Sequence, residues 1–253
     1  MLLTRRQVVL GGATASAGLS FAGFANALST DYQETGLVRN GSTIKGRFTY
    51  QGPEIDVPEY RVTKDHHVCG TANRKPTALR VSDEGYLGDC VVEVRGVAAG
   101  KPWEDVFSEG KIYQLDCSFQ PYVQILRNNA FVEVINFDDL FHNVHAYELF
   151  KGVRRQMFNF AQPKAGDVDR IDLKFRRGNT LMLDCNAHNW MEAYVYTSAT
   201  PYFAVTSLDG AFEITDVPPG NYQLIVWHPI LGQKMANLSV APSDELELNL
   251  ALS

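Results

Sequence analysis

The chain has 253 residues, 45% of them apolar, which is enough material for one large domain or two small ones. Acidic residues outnumber basic ones, 29 to 23, for a formal net charge of −6. That balance argues against non-specific nucleic-acid binding and permits docking to a basic partner.

Residues 1–27 read as an export signal and not as fold. Thr4-Arg5-Arg6-Gln7-Val8-Val9 carries a twin arginine, a Gly/Ala-rich run follows, and Ala25-Asn26-Ala27 has the small-x-small form of a cleavage site. The expectation is twin-arginine export to the periplasm. Loss of Arg5 and Arg6 leaves 21 basic against 29 acidic residues, a net charge of −8. No other apolar run is long enough to span a bilayer.

The rest is punctuated like an all-β chain. Thr43 to Tyr50 alternates and stops at Gly52-Pro53, and short runs recur at Tyr60–Thr63, Leu79–Ser82, Cys90–Val94, Ile112–Asp116 and Tyr122–Leu126. Trp103 to Phe107 is compatible with one helical turn, and no stretch beyond the signal sustains a helical period. Many short strands separated by Gly, Pro and Asn predict β-sandwich architecture.

Two later stretches carry chemistry. The first is Phe141-His142-Asn143-Val144-His145, after the strand-like Phe131 to Phe137. The second is Asp184-Cys185-Asn186-Ala187-His188-Asn189-Trp190-Met191, between the strand-like Leu181–Asp184 and Ala193–Thr197. A tight loop between two strands lets Cys185, His188 and Met191, at i, i+3 and i+6, converge on one point. Thiolate, thioether and imidazole form the donor set that copper prefers. In a strand, i and i+3 face opposite sides, so only one of His142 and His145 reaches such a point unless a bulge intervenes.

Four cysteines in an oxidising compartment need partners. Two disulfides would leave no thiolate for a metal. Reserving Cys185 leaves Cys69, Cys90 and Cys117, of which at most two pair. The turn contexts of Cys69 and Cys117 favour those two and make Cys90 a buried strand thiol, with the connectivity still open. His66 and His67, beside Cys69, read as a polar loop pair, and His228 as a structural histidine.

The paired stretches resemble the cupredoxin family. Cys-x-x-His-x-x-Met is the short ligand loop of amicyanin, and His-Asn-Val-His presents its first ligand. The resemblance implies one type 1 copper held by His142, Cys185, His188 and Met191. It also implies that Asn143 ties the two ligand loops together by hydrogen bonds. Phe141 and Asn189 stand where the family often has Pro, and Trp190 stands at an aromatic position that shields the site. The strict resemblance covers about residues 131–197.

After Thr200 the pattern Asp209-Gly210-Ala211-Phe212-Glu213-Ile214 with Asp216-Val217-Pro218-Pro219-Gly220-Asn221-Tyr222 resembles the carboxypeptidase-regulatory-like (transthyretin-like) β module, a scaffold or interaction unit. Asp209-Gly210 is also a hairpin signal. The whole arrangement resembles exported proteins labelled methylamine-utilisation proteins. The resemblances imply a signal at 1–27, an N-terminal β region at 28–120 belonging to or packed on the cupredoxin, a copper-site core at 121–198, and the smaller β-sandwich module at 199–253. They imply a periplasmic one-electron carrier that is not an enzyme, serving a redox partner such as a c-type cytochrome or a periplasmic dehydrogenase. A non-redox binding protein on the same fold, or a copper storage or delivery protein, are the alternatives. Only five methionines, without a Met- or His-rich cluster, weigh against storage.

Overall fold

Strand alternation builds the first sandwich. In Glu109–Leu115 and Phe131–Asn136 every second side chain is buried, which gives each strand one apolar face. The computed structural model describes residues 32–76 and 79–253, so the expected export signal lies outside the described residues. Five strands hydrogen-bond in the order Val153–Gln162, His142–Phe150, Thr180–Asp184, Glu192–Ser198 and Val123–Arg127. Four others run in the order Val168–Asp172, Phe131–Asn136, Glu109–Leu115 and Ser118–Gln120. Their inner faces share a core that includes Ile112, Val132, Val144, Leu181, Leu183 and Val195. Burying each such side chain contributes about 1.5–3 kcal/mol.

A second sandwich joins the two ends of the described chain. One sheet is ordered Phe203–Val205, Val91–Arg95, Gly220–His228, Gly232–Val240. The other is ordered Ala211–Val217, Ser42–Tyr50, Glu245–Glu247, and Leu250–Leu252 also pairs with Ser42–Tyr50. Ile44, Phe48, Val92, Val94, Phe212 and Leu224 fill its core. Ser42–Tyr50 and Val91–Arg95, placed by sequence in a region belonging to or packed on the metal-site unit, therefore hydrogen-bond with strands beyond residue 199. Gly46 shows why this pairing is hard to read locally. A Cβ there would stand 1.9 Å from the carbonyl oxygen of Leu248, so the close approach needs glycine, but nothing near Gly46 names its partner.

Asp209-Gly210 forms a turn, with Gly210 N–H donating to Ser207 O at 2.8 Å and Gly210 at φ +73°. The expected hairpin does not form. Phe203–Val205 pairs with Val91–Arg95 and Ala211–Val217 pairs with Ser42–Tyr50, so the turn carries the chain from one sheet to the other. Trp103 to Phe107 does contain a helical turn, a 3-10 segment at Asp105–Phe107.

The sandwiches meet through Val91, Tyr122, Met182, Tyr194, Tyr196 and Trp227. Trp227 lies 5.9 Å from the Tyr194 ring and 5.5 Å from the Tyr196 ring, centroid to centroid. The buried Glu93 of one sandwich accepts from Tyr196 Oη and Ser198 Oγ of the other, each at 2.9 Å, and pairs with Arg95 at 2.7 Å. Among the described residues no helix is long and apolar enough to cross a membrane.

Candidate metal centre

Two consecutive turns shape the loop between Asp184 and Glu192, which pair across the antiparallel strands that flank it. His188 N–H donates to Cys185 O at 3.2 Å, and Met191 N–H donates to His188 O at 2.9 Å. This repeat brings residues 185, 188 and 191 to the inner side of the loop, and all three are buried. Asn186 and Asn189 are left outside.

His142 enters the same pocket as the first residue of its strand. The turn before it is built by Asn136, whose Oδ1 accepts from Asp138 N–H at 2.9 Å and whose Nδ2 donates to Leu140 O at 3.0 Å. His142 Nδ1 lies 3.0 Å from His188 Nδ1, and Cys185 Sγ lies 3.8 Å from each of them. His145 takes the opposite face, as strand geometry requires. Its Nδ1 meets Tyr147 Oη at 2.7 Å and Asn186 Oδ1 at 3.3 Å, so it is not brought to the cluster.

The far nitrogen of each ring is held by a carboxylate. His142 Nε2–H donates to Asp138 Oδ2 at 2.8 Å, and His188 Nε2–H donates to Asp65 Oδ2 at 3.2 Å. Asp138 is fixed as an acceptor, since its Oδ1 and Oδ2 also take the N–H groups of Asp116 and Cys117 at 2.8 and 2.9 Å. A carboxylate on Nε2 keeps the ring proton there and turns Nδ1 into a lone-pair donor. Two lone pairs 3.0 Å apart repel each other unless a proton or cation lies between them. Burial lowers the pKa of both rings, that of His188 further because His142 is beside it, and so favours the neutral, ligating form. Burial also pushes the Cys185 thiol up, against backbone N–H groups that stabilise its thiolate. A bound cation would reverse that preference and deprotonate the sulfur. These donors fit a soft cation.

Asn143 joins the segment that carries His142 to the one that carries Cys185 and His188. Its Oδ1 accepts from Asn186 N–H at 2.7 Å, its own N–H approaches Cys185 Sγ at 3.5 Å, and its Nδ2 donates to Asn159 Oδ1 at 2.9 Å. Trp190 is only 9% exposed, lies 5.3 Å from the His188 ring and donates its indole N–H to Cys117 O at 2.9 Å. It covers the donors from within the core. Met191 belongs to the same core cluster as Cys185 and Trp190.

Cys69 and Cys117 form a disulfide, and Cys90 and Cys185 are free and buried. Desolvation raises the Cys90 thiol to about 12, which makes it inert at neutral pH. His66 and His67 stay exposed on the short helix His66–Cys69. His228 is buried, with Nδ1 accepting from Ile230 and Leu231 N–H at 3.2 and 3.4 Å, as a structural histidine does.

Sequence reasoning missed Asp65 and Asp138. Asp138 stands four residues before His142 in an acidic turn, a spacing that could have drawn notice. Asp65 adjoins the His66-His67 pair that drew attention instead, and its contact with His188 spans 123 positions.

No protein-family model matches the chain, and no curated protein does. Among solved structures, a purple cupredoxin from Nitrosopumilus maritimus is 18% identical, with 35% of this chain and 99% of that one covered and a TM-score of 0.31. Amicyanin from Paracoccus versutus is 12% identical, with coverage of 36% and 81% and a TM-score of 0.29. A copper-containing nitrite reductase from Thermus scotoductus SA-01 is 15% identical at a TM-score of 0.29, over 36% of this chain, and the match spans only 22% of that enzyme. Likeness this slight assigns neither activity nor partner, and the weight falls on the converging donors.

Proposed function

We propose that the chain is an exported blue (type 1) copper protein that carries single electrons between partners. His142, Cys185 and His188 would hold the metal, with Met191 as a weak fourth ligand. The observation that carries the reading is the convergence of two Nδ1 atoms and one Sγ, with both Nε2 atoms turned away onto carboxylates. Bound in such a set, copper supplies a one-electron couple between Cu(II) and Cu(I).

The chain's own residues provide the rest. His142 is anchored in a five-stranded sheet, Cys185 and His188 in a loop closed on that sheet, and Asn143 fixes the spacing between them. His142 and His188 are fully buried and Cys185 is 2% exposed, so bulk water is kept from the donors. A preorganised, dry site changes little on redox turnover and suits transfer better than substrate chemistry.

The same reading places the protein in the periplasm, with a c-type cytochrome or a periplasmic dehydrogenase as partner. It takes the copper-site sandwich as cupredoxin-like and the second sandwich as a carboxypeptidase-regulatory-like interaction module. From the strand pairing, that module would combine segments before residue 100 with those after residue 199. Protein-film voltammetry of the copper-loaded chain tests the proposal. The expected result is a reversible one-electron wave that disappears in Cys185→Ala, and an irreversible or absent wave would count against it.

A further inference from the structure

The segment Tyr60 to Arg74 is closed on itself. Tyr60 and Arg74 exchange backbone hydrogen bonds at 2.7 and 2.8 Å, the Arg74 guanidinium donates to Cys69 O at 3.0 and 2.6 Å, and His66 Nε2 meets Val62 O at 3.2 Å. Among the described residues its polar and covalent ties to the first sandwich include the Cys69–Cys117 disulfide and the Asp65–His188 contact. Val62 and Cys69 of this loop are also buried in the core of the first sandwich, with Tyr60 and Val68 packed against it, so thiol exchange at the disulfide requires a local opening of the loop.

That disulfide does not sit at a neutral place in the fold. The sulfurs of Cys69 and Cys117 and a ring nitrogen of His188 all lie within 4.8 Å of one another, and all three residues are buried. The two Cα atoms are 5.1 Å apart. Thiolate–metal bonds of about 2.3 Å allow two sulfurs on one ion to stand up to roughly 4.6 Å apart. The Cα separation of 5.1 Å is compatible with such a span.

We propose that reduction of Cys69–Cys117 creates a second metal site, in which two thiolates and His188 hold one Cu(I). The disulfide takes up two electrons and two protons from a dithiol donor, which is itself oxidised to a disulfide. Binding Cu(I) then breaks the two S–H bonds, releases both protons to solvent and forms two Cu–S bonds, while the unprotonated ring nitrogen of His188 gives its lone pair to a Cu–N bond without losing a proton. Soft thiolates select this ion over harder divalent ones. His188 is common to both donor sets, so the two sites are coupled through one ring. The second site rests on the copper reading only through that shared residue, since its sulfurs are different.

The test uses the full chain carrying Cys185→Ser, in competition with a chromophoric Cu(I) chelator under anaerobic conditions. Oxidised protein is expected to leave Cu(I) on the chelator. Protein reduced with a phosphine, then freed of it, is expected to take one equivalent and to lose two titratable thiols on loading. Equal uptake by the oxidised and reduced forms overturns the proposal. So does a reduced form that loses its near-UV circular dichroism and does not regain it with Cu(I).

Cys69→Ser/Cys117→Ser with Cys185 intact is the second variant. It is expected to keep a thiolate-to-Cu(II) band, which shows that it folds, and to take up no extra Cu(I) on phosphine treatment. An extra equivalent in this variant likewise overturns the proposal. The two readings fail separately. A missing thiolate band in the wild type removes the carrier, whereas an empty reduced Cys185→Ser protein removes only the second site.

Discussion

Replacing Asp138 by Asn tests whether its carboxylate prepares His142 for the proposed metal. Asp138 is 4% exposed and accepts three hydrogen bonds, from Asp116 N–H, Cys117 N–H and His142 Nε2–H. An amide has one acceptor oxygen, so whichever way the new side chain of Asp138→Asn is turned, at least one of these donors faces an NH2 group. Hydrogen bonds to a charged acceptor are worth about 1.5–3 kcal/mol each, and one is lost outright while the others fall to neutral strength, a total of roughly 3–5 kcal/mol. At about 2–4 °C per kcal/mol for a chain of this size, the apo protein should melt roughly 6–20 °C lower. Without the carboxylate, His142 Nε2–H meets a neutral acceptor or an NH2 group, so the ring proton is held there less firmly and Nδ1 loses basicity where the metal would bind. Affinity for Cu(I), read by chelator competition, should drop about 10- to 100-fold. A variant that keeps wild-type affinity within about threefold would refute the claim that this carboxylate sets the donor atom, since such partners ordinarily cost tenfold or more.

Other expectations follow from the same geometry. His145→Ala should leave copper binding and colour unchanged while His142→Ala removes both, because His145 faces Tyr147 and Asn186; equal loss in both variants would contradict the strand-face argument. Acid should destabilise the protein in two windows. The first is set by His228, kept neutral by burial with a pKa near 4: the unfolded chain gains its proton first, so stability falls as pH drops from 6.5 to about 4. The second is set by Glu148. Burial alone would raise it, but the N–H groups of Gly178, Arg177 and Arg176 and the Arg155 guanidinium outweigh burial and bring it to about 2. Its contribution is complete above 4.5 and disappears as pH falls through about 2; urea melts of His228→Gln and Glu148→Gln should each flatten one window and leave the other. Gly46→Ala should cost about 1–3 kcal/mol by forcing the Leu248 backbone away, and an unchanged melting temperature would disprove that close approach.

The convergence of Cys185 and His188 with His142 was legible largely because its chemistry is local. Cys185, His188 and Met191 share one seven-residue loop, and a short loop between strands has few ways to orient three side chains. Strand alternation allows only one of His142 and His145 to reach the cluster, since the two differ by an odd number of positions, and the family resemblance pointed to His142. The carboxylates behind the rings were not legible. Asp65 reaches His188 only because the Tyr60–Arg74 loop folds over the first sandwich, and no local pattern encodes that contact. The sheets of the second sandwich were hidden for the same reason. Ser42–Tyr50 and Val91–Arg95 have strand-forming sequences, but a strand signal does not specify a neighbour. Asp209-Gly210 misled in the opposite sense, for its turn chemistry is correct while the strands it joins find partners in different sheets. Local signals named the elements, and tertiary packing decided their pairing.

The most direct test of the electron-carrier reading is the visible and EPR spectrum of the chain loaded with Cu(II), recorded beside Cys185→Ala. The account predicts an intense visible thiolate-to-copper band with compressed hyperfine splitting, both abolished in the variant. A colourless complex, or a spectrum that Cys185→Ala leaves unchanged, would contradict it.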